Sequence, residues 1–299
     1  MNTGQPMAEQ LNEVRNEVRV VAVPAFADNY LWLMVRHDAA GRRAVVVDPG
    51  DAAAIEAALQ QHHAKLEAIL VTHHHHDHAD GIVALARKHA VPVHGPAHEN
   101  IAALSVRHHD GDDIDVLGLR IKVMEVPGHT AGHLAYYVDA NTEPHRPHQP
   151  GWLFCGDTLF GAGCGRLLGG TAEQLFASLQ RLAALPPSTQ VYCGHEYTLA
   201  NLRFALTVEP DNAALRARAQ RCAKQREQGQ PTVPSTLGEE LATNPFLRCH
   251  EPAVRIAVQA HQREDEGANP FANPSANPSP HASTRAIFMA LRQWKDTFK

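Results

Sequence analysis

Ten residues constrain this chain more than any others. The string Thr72-His73-His74-His75-His76-Asp77-His78-Ala79-Asp80-Gly81 sets five histidines and two carboxylates directly behind the apolar run 66–71. That run reads as a buried strand, and the spacing over 81–89 reads as a helix. Side chains two apart on a strand share a side, so His73 and His75 are expected to share one metal while His74 and His76 turn away. Asp77 and His78 fall on the turn into the helix, where they reach a second, adjacent position. His62-His63 and His108-His109 have no such setting and read as chance surface pairs.

Around this string strands and helices alternate. Runs at 18–23, 30–35 and 44–47 read as strands, Asp48-Pro49-Gly50 as a turn, and 51–62 as an amphipathic helix. Further strands are expected at 91–94, 113–116, 120–126, 134–138, 152–155 and 190–193. Thr171-Ala172-Glu173-Gln174 spells a capping box for a helix reaching about 185. From 199 the chain reads helical, over 199–208, 212–228, 237–243, 252–261 and 283–298. The expected division is a polar arm over 1–17, a strand-rich catalytic domain over 18–198 and a helical substrate-binding domain over 199–299. Three Asn-Pro pairs within 266–281 mark that stretch as a flexible insertion.

Three more segments set a ligand-type residue behind an apolar run, among glycines that allow close approach: Pro127-Gly128-His129, Cys155-Gly156-Asp157 and Cys193-Gly194-His195. Singly, each reads as an ordinary cap or turn; together with the first string they read as a metal site. Cys193 offers the rival reading of a cysteine nucleophile, but a histidine bound to metal cannot serve as its base. The five cysteines contain no C-x-x-C pair, which argues against a cysteine zinc site or a disulfide framework.

In the order His73-x-His75-x-Asp77-His78, His129, Asp157 and His195, the chain resembles the metallo-β-lactamase superfamily. Longer strings are similar to those of its glyoxalase II family: Cys155-Gly156-Asp157-Thr158-Leu159-Phe160, Gly163-Cys164-Gly165-Arg166, Val191-Tyr192-Cys193-Gly194-His195-Glu196-Tyr197-Thr198, Asn244-Pro245-Phe246 and Arg292-x-x-Lys295-Asp296. The resemblance covers about 18–299 and implies an α/β fold, an αββα sandwich followed by a C-terminal helical domain. It also implies two divalent metal ions, with His73, His75 and His129 on the first, Asp77, His78 and His195 on the second, and Asp157 bridging. Such donors suit zinc and also accept iron or manganese.

The activity implied is hydrolysis of S-(2-hydroxyacyl)glutathione thioesters, S-D-lactoylglutathione and water giving D-lactate and glutathione, the second step of methylglyoxal detoxification. Asp157 and Asp77 carry the catalytic duties, Asp77 by orienting the attacking hydroxide. Arg166 and Tyr197 would contact the peptide part of the substrate. Arg292 and Lys295, spaced i and i+3, fall on one helix face and would take the glycine carboxylate. Leu168 stands where some members carry an aromatic residue, and Asp80 replaces a usual glycine. Both departures, and the 266–281 insertion, bear on affinity.

Charge narrows the partners. Lys and Arg total 27 against 32 Asp and Glu, a net charge of -5, so no global basic field exists to hold nucleic acid or an anionic membrane. No apolar run approaches the roughly 20 residues of a membrane span. The first twenty residues lack the apolar core of a secretory signal. A monomeric, cytoplasmic enzyme acting on a small glutathione thioester is expected. A one-iron persulfide dioxygenase on the same scaffold is the alternative, opposed by the full second ligand set and the helical domain. A nuclease or lactamase would want a basic groove or another lid, and a mere metal-buffering module would show no turnover.

Overall fold

The computed structural model describes residues 18–39, 41–140, 149–268 and 282–298. The expected arm at 1–17 and positions 269–281 of the expected insertion lie outside them. Two compact units divide the rest: the described residues up to Glu125 with Gly132–Gly156, and Val126–Ala131 with those from Asp157 onward.

The first unit holds one sheet in the order β1 (Val18–Ala25), β2 (Asn29–Asp38), β3 (Gly41–Val47), β4 (Lys65–Leu70), β5 (Val93–Pro96) and β6 (Val106–His108). β1 to β3 pair antiparallel, and from β3 onward pairing is parallel. Parallel neighbours need crossovers, supplied here by α1 (Ala52–His62), then by α2 (His76–Ala79) and α3 (Ile82–His89). The Asp51 carboxylate caps α1 by accepting from the Ala53 and Ala54 N–H groups. Leu31, Leu33, Val46, Ile69 and Val71 pack with Ile55, Leu59, Ile82 and Leu85 in one apolar cluster. Its burial, at about 25 cal/mol per Å², is the main force holding helices to sheet. A second set of strands, β7 (Asp113–Val116), β8 (Leu119–Glu125), β9 (Leu134–Val138) and β10 (Trp152–Gly156), pairs antiparallel in that order. It is tied to the first at the histidine string: Tyr136 Oη donates to Val71 O (2.6 Å) and Leu134 N to Thr72 O (2.9 Å).

The second unit begins with the short hairpin β11 (Leu159–Phe160) and β12 (Gly163–Cys164), then α4 (Ala172–Ala183). The capping box of α4 is formed in both directions between Thr171 and Gln174. β13 (Gln190–Cys193) pairs with the two-residue β14 (Ser235–Thr236). Helices α5 (Thr198–Val208), α6 (Ala213–Glu227), α7 (Leu237–Thr243), α8 (Pro252–Ala268) and α9 (Thr284–Thr297) make up most of the remainder. Glu240, fully buried, binds Arg218 and accepts from Ala162 N (2.8 Å) and Ser235 Oγ (2.6 Å). That one carboxylate fastens the hairpin to α6 and α7.

Several boundaries differ from the sequence expectation. β4 stops at Leu70, so the histidine string lies beyond the strand rather than on it. The helix expected over 81–89 is present as α3, but the turn expected before it holds the additional short helix α2, parted from α3 near Gly81, where a Cβ would stand 2.2 Å from Pro49 O. β6, β11, β12 and β14 were not expected, being two or three residues long and carrying no readable alternation. α8 runs to Ala268, so 266–268, placed at the start of the insertion, are helical.

Candidate metal centre

In the first unit the histidine string is organised by Asp48, at the end of β3. Thr72 donates to it twice, through N to Oδ1 and through Oγ1 to Oδ2, each at 2.7 Å. Because that hydroxyl proton is spent, Thr72 Oγ1 accepts from His73 Nδ1 at 3.0 Å. His78 Nδ1 donates to the same Asp48 Oδ2 at 3.1 Å. Nδ1 of each ring is thus engaged, and Nε2 is the nitrogen each ring turns to its other neighbours. His73 Nε2 lies 3.0 Å from His75 Nδ1, and His78 Nε2 lies 3.6 Å from Asp77 Oδ2. Asn29 Nδ2 donates to that Asp77 oxygen at 2.8 Å.

His73 and His75 thus meet through opposite edges of their rings, along extended backbone past the strand, and strand alternation is not what pairs them. His75 has φ -64° and ψ 148°, then hands over to α2. Gly50 permits the close approach of this loop: a Cβ there would lie 1.8 Å from Asp77 O. His74 turns to Glu99 (2.7 Å), and His76 faces solvent.

In the second unit His129, Asp157 and His195 are all buried. His129 Nδ1 donates to Arg166 O at 2.8 Å, so Nε2 is again the nitrogen turned to other neighbours. Asp157 Oδ2 lies 3.5 Å from His129 Nε2 and 3.3 Å from His195 Nε2. Gly165 makes room, since a Cβ would stand 2.1 Å from Asp157 O and 3.2 Å from His129. Tyr197 stacks on His195 with centroids 4.5 Å apart and planes at 3°. Cys193 is buried and its thiol is pushed up to about 12 by that burial, so it is no nucleophile.

The donor set fits divalent ions. His73, His78 and His129 each give the second ring nitrogen to a hydroxyl, a carboxylate and a carbonyl respectively. This is how protein metal sites fix ligand tautomer and raise ligand basicity. All donors are nitrogen or oxygen, matching zinc, iron or manganese.

The residues expected at the substrate divide in behaviour. Arg166 is exposed and Tyr197 is 37 % exposed. Arg292 is buried, donating to Cys164 O and to Asp296 Oδ1, each at 3.0 Å, with its guanidinium over Phe246. Lys295 is partly buried, its Nζ 5.3 Å from the centre of Phe204 and 5.5 Å from that of Phe298. Burial lowers its pKa first, and the neighbouring cations Arg292 and Arg203 lower it further. A lysine depressed by two neighbouring guanidiniums marks a place where an added anion is stabilised. Arg203, on α5, carries no linear signal linking it to Lys295. Asp48 had one: it ends a parallel strand beside β4, where carboxyl ends of strands gather ligands. Leu168 is exposed, and its backbone N–H donates to His129 O (2.9 Å), a bond indifferent to the side chain.

Comparison with known proteins matches two consecutive stretches of the chain. Residues 28–195 match the family model described as metallo-beta-lactamase superfamily, and residues 196–298 match that described as hydroxyacylglutathione hydrolase C-terminus. The chain is 51 % identical over 281 residues to a hydroxyacylglutathione hydrolase of Alkalilimnicola ehrlichii, covering 93 % of this chain and 98 % of that one. It is 50 % identical to the hydroxyacylglutathione hydrolase of Pseudomonas aeruginosa strain LESB58, covering 94 % of this chain and all of that one. Among solved structures it is similar in fold to the BLEG-1 B3 metallo-beta-lactamase, with a TM-score of 0.56 at 22 % identity, over 77 % of this chain and 99 % of that chain.

Proposed function

The chain belongs to the hydroxyacylglutathione hydrolase family of the metallo-β-lactamase superfamily and is a thioester hydrolase; from that premise we propose that it converts S-D-lactoylglutathione and water to D-lactate and glutathione, the second step of methylglyoxal detoxification. The seven ligand residues serve one binuclear centre, His73, His75 and His129 toward one ion, Asp77, His78 and His195 toward the other, and Asp157 between them. The observation that carries this reading is the position of Asp157 Oδ2, 3.5 Å from His129 Nε2 and 3.3 Å from His195 Nε2. One oxygen thus lies beside a nitrogen from each proposed ligand set, where it would be available to a shared pair of ions.

Two divalent ions held there, zinc by preference, supply an acidified water as nucleophile and a Lewis acid for the carbonyl. The chain's own residues do the rest. Asp77, steadied by Asn29, orients the attacking oxygen. The leaving thiolate has a conjugate acid near pKa ~8.5, so its departure demands little protonation. Lys295 and Arg292, with Arg203 beside them, lend positive charge for the glycine carboxylate. Tyr197 and Arg166 contact the peptide part. In this proposal residues 18–198 carry the chemistry and 199–299 complete the substrate site, in a monomeric cytoplasmic enzyme. No described helix is long and apolar enough to cross a membrane.

The test measures S-D-lactoylglutathione hydrolysis by wild type and Asp157→Ala, with metal content determined on the same samples. Activity with about two metals per chain, falling by about a thousandfold or more in the variant, is the expected result. Metal-replete wild type that leaves the thioester absorbance unchanged overturns the proposal. An inactive protein holding a single iron would redirect attention to oxygen-dependent persulfide chemistry.

A further inference from the structure

The first unit gathers another set of donors on its surface, apart from the seven residues above. His98 lies in the turn after β5, His109 just past β6, and Glu125 at the end of β8. Glu125 Oε1 stands 3.7 Å from His98 Nε2 and 3.9 Å from His109 Nδ1, and the two rings meet edge to face with centroids 5.1 Å apart. A carboxylate oxygen is thus nearly equidistant from two imidazole nitrogens contributed by different segments.

Backbone hydrogen bonds fix the positions of all three. Ala97 N donates to His108 O at 3.0 Å, which locks the β5 turn to β6. His109 N donates to Asp112 Oδ2 and Glu125 N to Asp110 Oδ1, each at 2.9 Å. Gly111 N reaches Val123 O at 3.0 Å, closing the β6–β7 turn onto β8. The convergence is therefore built by the fold, and only the side-chain torsions remain to be set.

Ligand atoms bonded to one ion at about 2.1 Å with tetrahedral angles lie roughly 3.4 Å apart. The two carboxylate–imidazole separations exceed this by a few tenths of an ångström, and all three donor atoms lie within 4.8 Å of one another, which exposed side chains close by small rotations; His98 and His109 are 62 % and 60 % exposed. We propose that His98, His109 and Glu125 form a third divalent-metal site, open to solvent, that takes a borderline ion such as Zn²⁺ with water completing the shell. Two imidazoles and one carboxylate suit that ion over Ca²⁺ or Mg²⁺, which prefer all-oxygen sites. With three protein ligands in the open, the site binds more weakly than the buried set, and it pins the β6–β7 turn to the end of β8. The proposal is independent of the hydrolase reading.

The experiment titrates Zn²⁺ into the full-length holoprotein, first passed over a chelating resin to remove loose metal, by calorimetry and by equilibrium dialysis. Wild type should take one additional, weaker ion per chain. His98→Ala and His109→Ala should each weaken that event at least tenfold, while His250→Ala, an exposed histidine elsewhere, leaves it unchanged. Both variants remove exposed side chains and should keep the wild-type circular dichroism spectrum. Wild type with no third event, or His98→Ala with an unaltered one, overturns the proposal. A chain without tightly held metal that still shows the His98-dependent event supports the proposal and tells against the binuclear reading.

Discussion

A single carboxylate, Asp48, holds Thr72 through two donors and His78 through a third, and Thr72 in turn holds His73. Residues that never face the substrate thus decide which nitrogen each candidate ligand presents. On the recognition side the corresponding residue is Lys295. Removing its charge should raise KM about tenfold and leave kcat within a few-fold, the pattern of an interaction made equally in ground and transition states. Its pH dependence has a definite sign. The folded pKa is lowered from the usual lysine value, so the charge is lost earlier as pH rises. KM for wild type should climb on the alkaline side, and in Lys295→Arg that climb should shift to higher pH. Steady-state KM measured across the alkaline range checks both; a Lys295→Ala enzyme with unchanged KM would remove Lys295 from the binding site.

At the scale of elements, β5 and β6 carry an instructive pair. His94 Nδ1 lies 2.9 Å from His108 Nε2, with the rings stacked at 18°. Burial, then the neighbouring His108, lowers the His94 pKa to about 4, and burial lowers that of His108 as well. An unfolded histidine titrates near ~6.5, so between that value and about 4 the unfolded chain binds more protons than the folded one. Stability from this pair is complete above the unfolded value and declines as pH falls toward the folded one. After discounting for partial solvent screening, the loss is about 1–2 kcal/mol. Urea unfolding of wild type and His94→Asn at pH 7 and pH 4.5 should show a smaller pH dependence in the variant. Equal slopes would mean the ring keeps its ordinary titration.

For the whole molecule, metal and stability should be coupled. Ions that bind only the folded chain add roughly 4 kcal/mol each when present at a thousandfold excess over Kd. Chelation should therefore abolish activity and lower Tm by several degrees, with both restored by Zn²⁺. The apolar cluster of the first unit and the Arg218–Glu240 anchor of the second involve no proposed metal ligand, so the stripped protein should keep its far-ultraviolet circular dichroism spectrum at 25 °C. A stripped protein with unchanged Tm would mean that the histidine and aspartate sets do not bind metal in the folded chain.

The amino-acid sequence by itself determined most of the longer strands and helices, the α/β class and the placing of histidines and aspartates just behind apolar runs. It could do so because apolar periodicity and the glycines beside His129, Asp157 and His195 are local properties, readable over a few residues. Tertiary structure alone decided that His73 and His75 meet past the end of β4, that Asp48 commands the histidine string, and that Arg292 is buried against Cys164 O while Arg203 neighbours Lys295. It also turned His109 from a chance surface residue into one corner of a donor triad with His98 and Glu125. Most of these relations join residues tens of positions apart. They depend on strand register, crossover geometry and the packing of one helix on another, which the chain acquires only when its apolar surface is buried.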